Sequence, residues 1–222
     1  MNNNVLIFGV IAVALIGVFL FIGSDEKEIA EKNIDTAMSE EMSDMESHEM
    51  GIDHHLSEAK ITKKSADFTA DLKAMGLMPL NGENGAVGYG IITDKGTDQV
   101  IVATTHGGVL DSEMQKDASD PIWHNHIVRL GEVAMCGENP GVVDITFESP
   151  GDIEVKEQGV VMAEVPAMFS GTHSLSKEKI SFAPGTDVQG VVQFSLEPKF
   201  SETNELQAVC VTNIEEVSFD LI

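Results

Sequence analysis

Residues 123–130, WHNHIVRL, carry two histidines two positions apart, followed at the same interval by Val128 and Leu130. Side chains at that interval leave one face of a β-strand, so His124 and His126 can both reach a single ion. Upstream, QVIVATTH at 99–106 repeats the pattern with Val100, Val102, Thr104 and His106. If these two strands pair, His106 completes a three-histidine set.

The alternation continues along the chain. VVDITFES at 142–149 aligns Val143, Ile145 and Phe147, and GVVQFSLEP at 190–198 aligns Val192, Phe194 and Leu196. The closing segments do the same through Leu206, Ala208 and Cys210, then Val217, Phe219 and Leu221. Turns such as TDKG, ENPG, ESPG and APGTD separate these runs with the Pro and Gly that end strands. Short alternating runs with regular turns predict an all-β fold, an antiparallel β-sandwich over residues 63–222. One short helix leads it: Ser65 can cap a turn, Phe68, Leu72 and Met75 recur at intervals of four and three, and Gly76 with Pro79 ends it.

Ahead of this domain stand two segments of different character. Residues 5–23, VLIFGVIAVALIGVFLFIG, are uninterrupted apolar sequence. Their length matches the roughly 20 residues that cross a bilayer as a helix, which predicts a transmembrane anchor or signal segment over 1–23, with retention favoured. Residues 24–62 form an acidic stalk: from Ser24 to Lys60 there are twelve Asp or Glu against three Lys and no aromatic residue. Such a segment buries too little apolar area to fold alone. The acidic flank SDEKEIAEK gives no reason for cytoplasmic retention, so residues 24–222 are expected outside the cell, in a single-pass membrane protein.

The formal charge of -24, from 37 acidic and 13 basic residues, opposes binding to a phosphate backbone and excludes nucleic acid as a partner class. The two cysteines, Cys136 and Cys210, suit a disulfide in an oxidising compartment. No His closely follows either one, which disfavours a blue-copper site.

Two buried imidazoles need partners, and a metal supplies them. Three neutral ring nitrogens with an open fourth position suit Zn(II), Cu(II) or Fe(II) and can host hydrolytic or redox chemistry. His173, in FSGTHS, is a candidate fourth ligand or supporting group, and Asp111 is a weaker one. The competing reading is a set of hydrogen-bonded core or surface histidines. In the stalk, Met38, Met42 and Met45 fall on one helical face with His48, Met50, His54 and His55 close behind. Thioethers and imidazoles there suit weak copper collection, although a methionine stripe for a partner helix explains the same spacing.

Together the anchor, the stalk and residues 105–132, THGGVLDSEMQKDASDPIWHNHIVRLGE, resemble uncharacterised membrane-anchored envelope proteins of archaea, which implies a location and no activity. The segment from LNGENG through HNHIVRLG is also similar to chordin-type β-sandwich domains, whose motif has His-x-His followed closely by Gly. Here Val128, Arg129 and Leu130 intervene before Gly131, and no functional residue is carried over.

No phosphate loop, nucleophile elbow or HExxH helix is present in the sequence. The expectation is therefore an extracytoplasmic copper- or zinc-binding protein for metal handling or redox support. A metal-free interaction module docking onto an envelope or membrane complex, and a mononuclear metalloenzyme, are the alternatives.

Overall fold

The computed structural model describes residues 50–80 and 85–222. The apolar run at 5–23 and the stalk up to residue 49 lie outside the described residues. Among those described, no helix is long and apolar enough to cross a membrane. Helix there is confined to two 3-10 turns, Gly96–Asp98 and Ala134–Cys136.

The rest is β-structure. One layer is a five-stranded sheet built from β1 (Leu56–Lys63), β2 (Asp67–Ala74), β7 (Asp152–Lys156), β8 (Gly159–Pro166) and β13 (Asp220–Leu221), in the order β13-β1-β2-β8-β7. β13 runs parallel to β1, whereas the other pairs are antiparallel. β9 (Phe169–Thr172) and β10 (Lys179–Phe182) form a separate hairpin. The remaining strands are β3 (Val87–Thr93), β4 (Val100–Thr105), β5 (His124–Glu132), β6 (Pro140–Ile145), β11 (Val188–Phe200) and β12 (Leu206–Val217). They close into a six-stranded barrel ordered β11-β12-β6-β5-β4-β3.

The expected all-β fold is present, but the expected sandwich is not. Alternation reports the two faces of each strand and is blind to whether a sheet closes on itself. Closure happens between β6 and β12, which share one register pair, Cys210↔Gly141. At that point the Cys136–Cys210 disulfide crosses the seam, joining positions 74 apart in sequence.

Strands β3 and β4 are buried on both faces because both are covered. Ile101 and Ala103 of β4, Ile127 of β5 and Tyr89 of β3 point outward into one core with Ile61, Phe68, Leu72 and Met162 of the five-stranded sheet. Val100, Val102, Val128, Val192, Phe194 and Val211 point inward and form a second core. Gly88 and Gly90 of β3 pair with Phe194 and Val192. A Cβ at Gly88 would stand 2.7 Å from the Phe194 ring, so the glycine makes room for that ring.

Three sequence expectations change here. The helix expected over 65–76 is strand β2. Phe68 and Leu72 stand four apart, an interval that returns to the same face in a strand as well as a helix. Ala70 and Ala74 complete the buried row, while Met75 is 60% exposed. The stalk expected to reach residue 62 ends earlier, since β1 belongs to the sheet through buried Leu56, Ala59 and Ile61. A register shift between Leu56 and Glu58 interrupts the alternation that would have marked it. In β6, Leu130 pairs with Val142 and Arg129 with Asp144, which skips Val143. The bulge lets Val142 and Ile145 both pack inside while Val143 is 48% exposed, so Val143 and Ile145 do not share a face.

The expected disulfide is present, and its chain-entropy contribution for a loop of this length is about 4 kcal/mol. Replacing both sulfurs, Cys136→Ala with Cys210→Ala, should lower unfolding free energy by about that amount in urea titration. An unchanged midpoint would show that the seam holds without the covalent link.

Candidate metal centre

β4 and β5 pair antiparallel with Val102↔His126 and Thr104↔His124. His124 and His126 therefore lie on the inward face of β5, in one row with Val128. β4 ends at Thr105, and His106 continues its inward row one step into the following loop. Three imidazoles thus meet at one end of the β4–β5 ladder. Ring centroids lie 4.9 Å apart for His106 and His124 and 4.8 Å apart for His124 and His126, with the planes nearly perpendicular.

The loop from β4 to β5 turns back and adds Asp111. Its shape is set by Gln115, whose Oε1 accepts the N–H groups of Asp111 and Ser112 at 3.0 and 3.2 Å. Gln115 Nε2 donates to the carbonyls of Val109 and Asp120, each at 3.1 Å. Ser174 Oγ lies in hydrogen-bond contact with the carbonyls of Asp111 and Thr146, tying the loop to β6.

His106 Nε2 stands 3.2 Å from Asp111 Oδ2, His124 Nε2 3.3 Å from Oδ1, and His126 Nε2 3.8 Å from Oδ2. The other nitrogens of two rings are committed: His124 Nδ1 donates to the Ile122 carbonyl and His126 Nδ1 to the Thr146 carbonyl, both at 2.7 Å. A carbonyl only accepts, so each Nδ1 carries a proton, and the neutral form of each ring presents its lone pair at Nε2. The Nε2 atoms of His124 and His126 and Oδ1 of Asp111 are buried without a hydrogen-bond partner. Lone pairs facing a carboxylate in a water-poor site call for a cation between them.

Donor spacing fits that requirement. Metal–nitrogen bonds of about 2.0–2.1 Å place neighbouring donors of a tetrahedral site about 3.3 Å apart. His106, Asp111 and His124 form a buried group, with donor atoms within 4.8 Å of one another, that could hold a metal ion. His126 lies outside that group, with its Nε2 3.8 Å from Asp111 Oδ2. The carbonyls of Ile122 and Thr146 fix ring tautomer and orientation, as second-row partners do in metal sites.

Burial pushes His126 down from 6.5 to about 3, so its ring is neutral in the fold.

The other sequence candidates separate from this group. His173 pairs with Thr146 through an isolated bridge, but its Nδ1 accepts the N–H groups of Leu175 and Ser176 at 3.1 and 3.2 Å. Its Nε2 faces Asp144 Oδ1 at 3.8 Å. His173 thus caps its own turn and does not join the group that could hold an ion, whereas Asp111, the weaker candidate, does. Its signal in the sequence was slight, an acid five residues past His106 in a loop that returns to the His pair. His54 and His55 stack on each other, with His55 Nδ1 2.7 Å from Asp53 Oδ1, while Met50 is exposed and takes a contact from Gln158. Met38, Met42, Met45 and His48 lie outside the described residues.

The inner cavity of the barrel, about 270 Å³, reaches this group, with His106, Asp111 and His126 in its wall. Apolar side chains of the strands make most of the rest.

Because the folded-state pKa of His126 lies below the unfolded value, its neutral burial stabilises the fold fully above about pH 6.5, and this contribution declines as pH falls towards 3. Metal-free protein should therefore lose thermal stability through that window, and His126→Gln should flatten the slope in melts followed by circular dichroism. Parallel slopes for both proteins would refute the assignment.

No family model, curated protein or solved structure matches the chain, and the donors of β4, β5 and the loop between them are what bear on its function.

Proposed function

We propose that the barrel holds a resident divalent transition-metal ion through His106, Asp111 and His124, with His126 as the fourth donor. The observation that carries this reading is the pair of Nδ1–H bonds to Ile122 and Thr146, which leave two buried, unpartnered lone pairs aimed at a carboxylate. Nitrogen and carboxylate donors without thiolate or thioether suit Zn(II) or Cu(II) rather than Cu(I).

Burial separates a resident centre from a carrier. Relative exposure is 0% for His124, 1% for His126, 7% for His106 and 8% for Asp111, so a partner protein has no direct approach to the ion. This favours a structural or reactive metal over one that is passed on. The mononuclear metalloenzyme reading draws support from one further observation: His106, Asp111 and His126 lie in the cavity wall, so a side of the ion would face the lumen. An extracytoplasmic location, with the 5–23 segment as membrane anchor, draws support from the Cys136–Cys210 disulfide.

Protein produced without an affinity tag and dialysed against metal-free buffer should retain close to one equivalent of metal by elemental analysis. The double variant His124→Ala, His126→Ala should lose it and melt at a lower temperature than the loaded parent. A wild-type protein that is metal-free and as stable as the double variant would leave an envelope interaction module as the function.

A further inference from the structure

The inward side chains of the barrel leave a cavity of about 270 Å³ among them, lined by Val100, Val102, Val128, Val192 and Phe194 of β4, β5 and β11. The cavity reaches the surface beside Val143 and Ile214, both in its wall and 48% and 46% exposed. At the metal end the wall turns polar with His106, Asp111, His126 and Ser174. Along β5 the lining passes from His126 to Val128 and Leu130, and along β4 from His106 through Thr104 to Val102 and Val100. Each wall therefore grades from donor groups to hydrocarbon.

We infer that this lumen is a binding site for a small aliphatic monocarboxylate, its chain along the valine walls and its head group on the metal. The inference rests on the metal reading given above. Charge selects the head: a divalent ion held by one carboxylate and neutral imidazoles keeps one unit of positive charge, which a monoanion neutralises. Volume selects the length. An apolar cavity of about 150 Å³ takes one benzene, so about 270 Å³ takes about ten non-hydrogen atoms, the size of octanoate. The walls select the tail, since their largely apolar lining offers a saturated chain dispersion contacts.

Calorimetric titration of butyrate, hexanoate and octanoate into full-length protein tests this, with the metal content of every sample measured in parallel. The metal-loaded protein should bind octanoate more tightly than butyrate, by up to about fourfold per added methylene. Removing the metal with a chelator should weaken octanoate binding at least tenfold. Val211→Phe, which adds a ring to the apolar lining of the lumen, should abolish octanoate binding while keeping the metal. Loaded protein that binds none of the acids, or binds all three alike, overturns the ligand proposal and leaves the metal centre standing. Octanoate affinity unchanged by chelation or by a metal-retaining Val211→Phe also overturns it, because the ligand then lies elsewhere. Protein that never holds metal overturns both readings together.

Discussion

Between β4 and β5 the ladder pairs Val102 with His126 and Thr104 with His124, and every property of the site descends from that register. A slip of one residue would turn His124 and His126 out of the lumen and bring Asn125 and Ile127 into it. The present register is enforced from outside, because Ile101, Ala103 and Ile127 must lie in the core shared with the five-stranded sheet. Hydrophobic burial on one face thus dictates which polar groups converge on the other.

That convergence sets three nitrogen donors and a carboxylate in a poorly hydrated environment. Buried polar atoms are costly unless paired, and here the pairing is divided between two kinds of partner. Backbone carbonyls of Ile122 and Thr146 take the Nδ1 protons, and the inward nitrogens are left for an ion. Thr146 is a junction in this arrangement. Its carbonyl accepts from His126 and lies against Ser174, and its Oγ1 accepts the Ile127 N–H at 3.1 Å, so β5, β6 and the hairpin region share one anchor point.

Local alternation made the β-class and the histidine row legible, since a period of two needs only neighbouring residues. WHNHIVRL and QVIVATTH stated their inward faces correctly. Features that depend on distant segments were hidden. Closure depends on Cys210 meeting Gly141, and nothing in either stretch announces that seam. Asp111 belongs to a loop whose path is drawn by Gln115 and Ser174, so its role follows from hydrogen bonds between residues far apart in sequence. His173 is equivalent to the other histidines by residue type, and only the fold shows its Nδ1 accepting from its own turn. The β2 error was different in kind: an interval of four belongs to both periods, and Ala70 and Ala74 were too small to weigh in the pattern.

The single-rung seam between β6 and β12 also bears on how the chain avoids sticking to itself. Until those strands meet, each presents unpaired N–H and C=O groups, an invitation to pair with another copy. Joining Cys136 to Cys210 tethers β12 to the turn that leads into β6, beside that one rung. Oxidation of the two thiols would therefore favour the closed barrel over a form with two open edges.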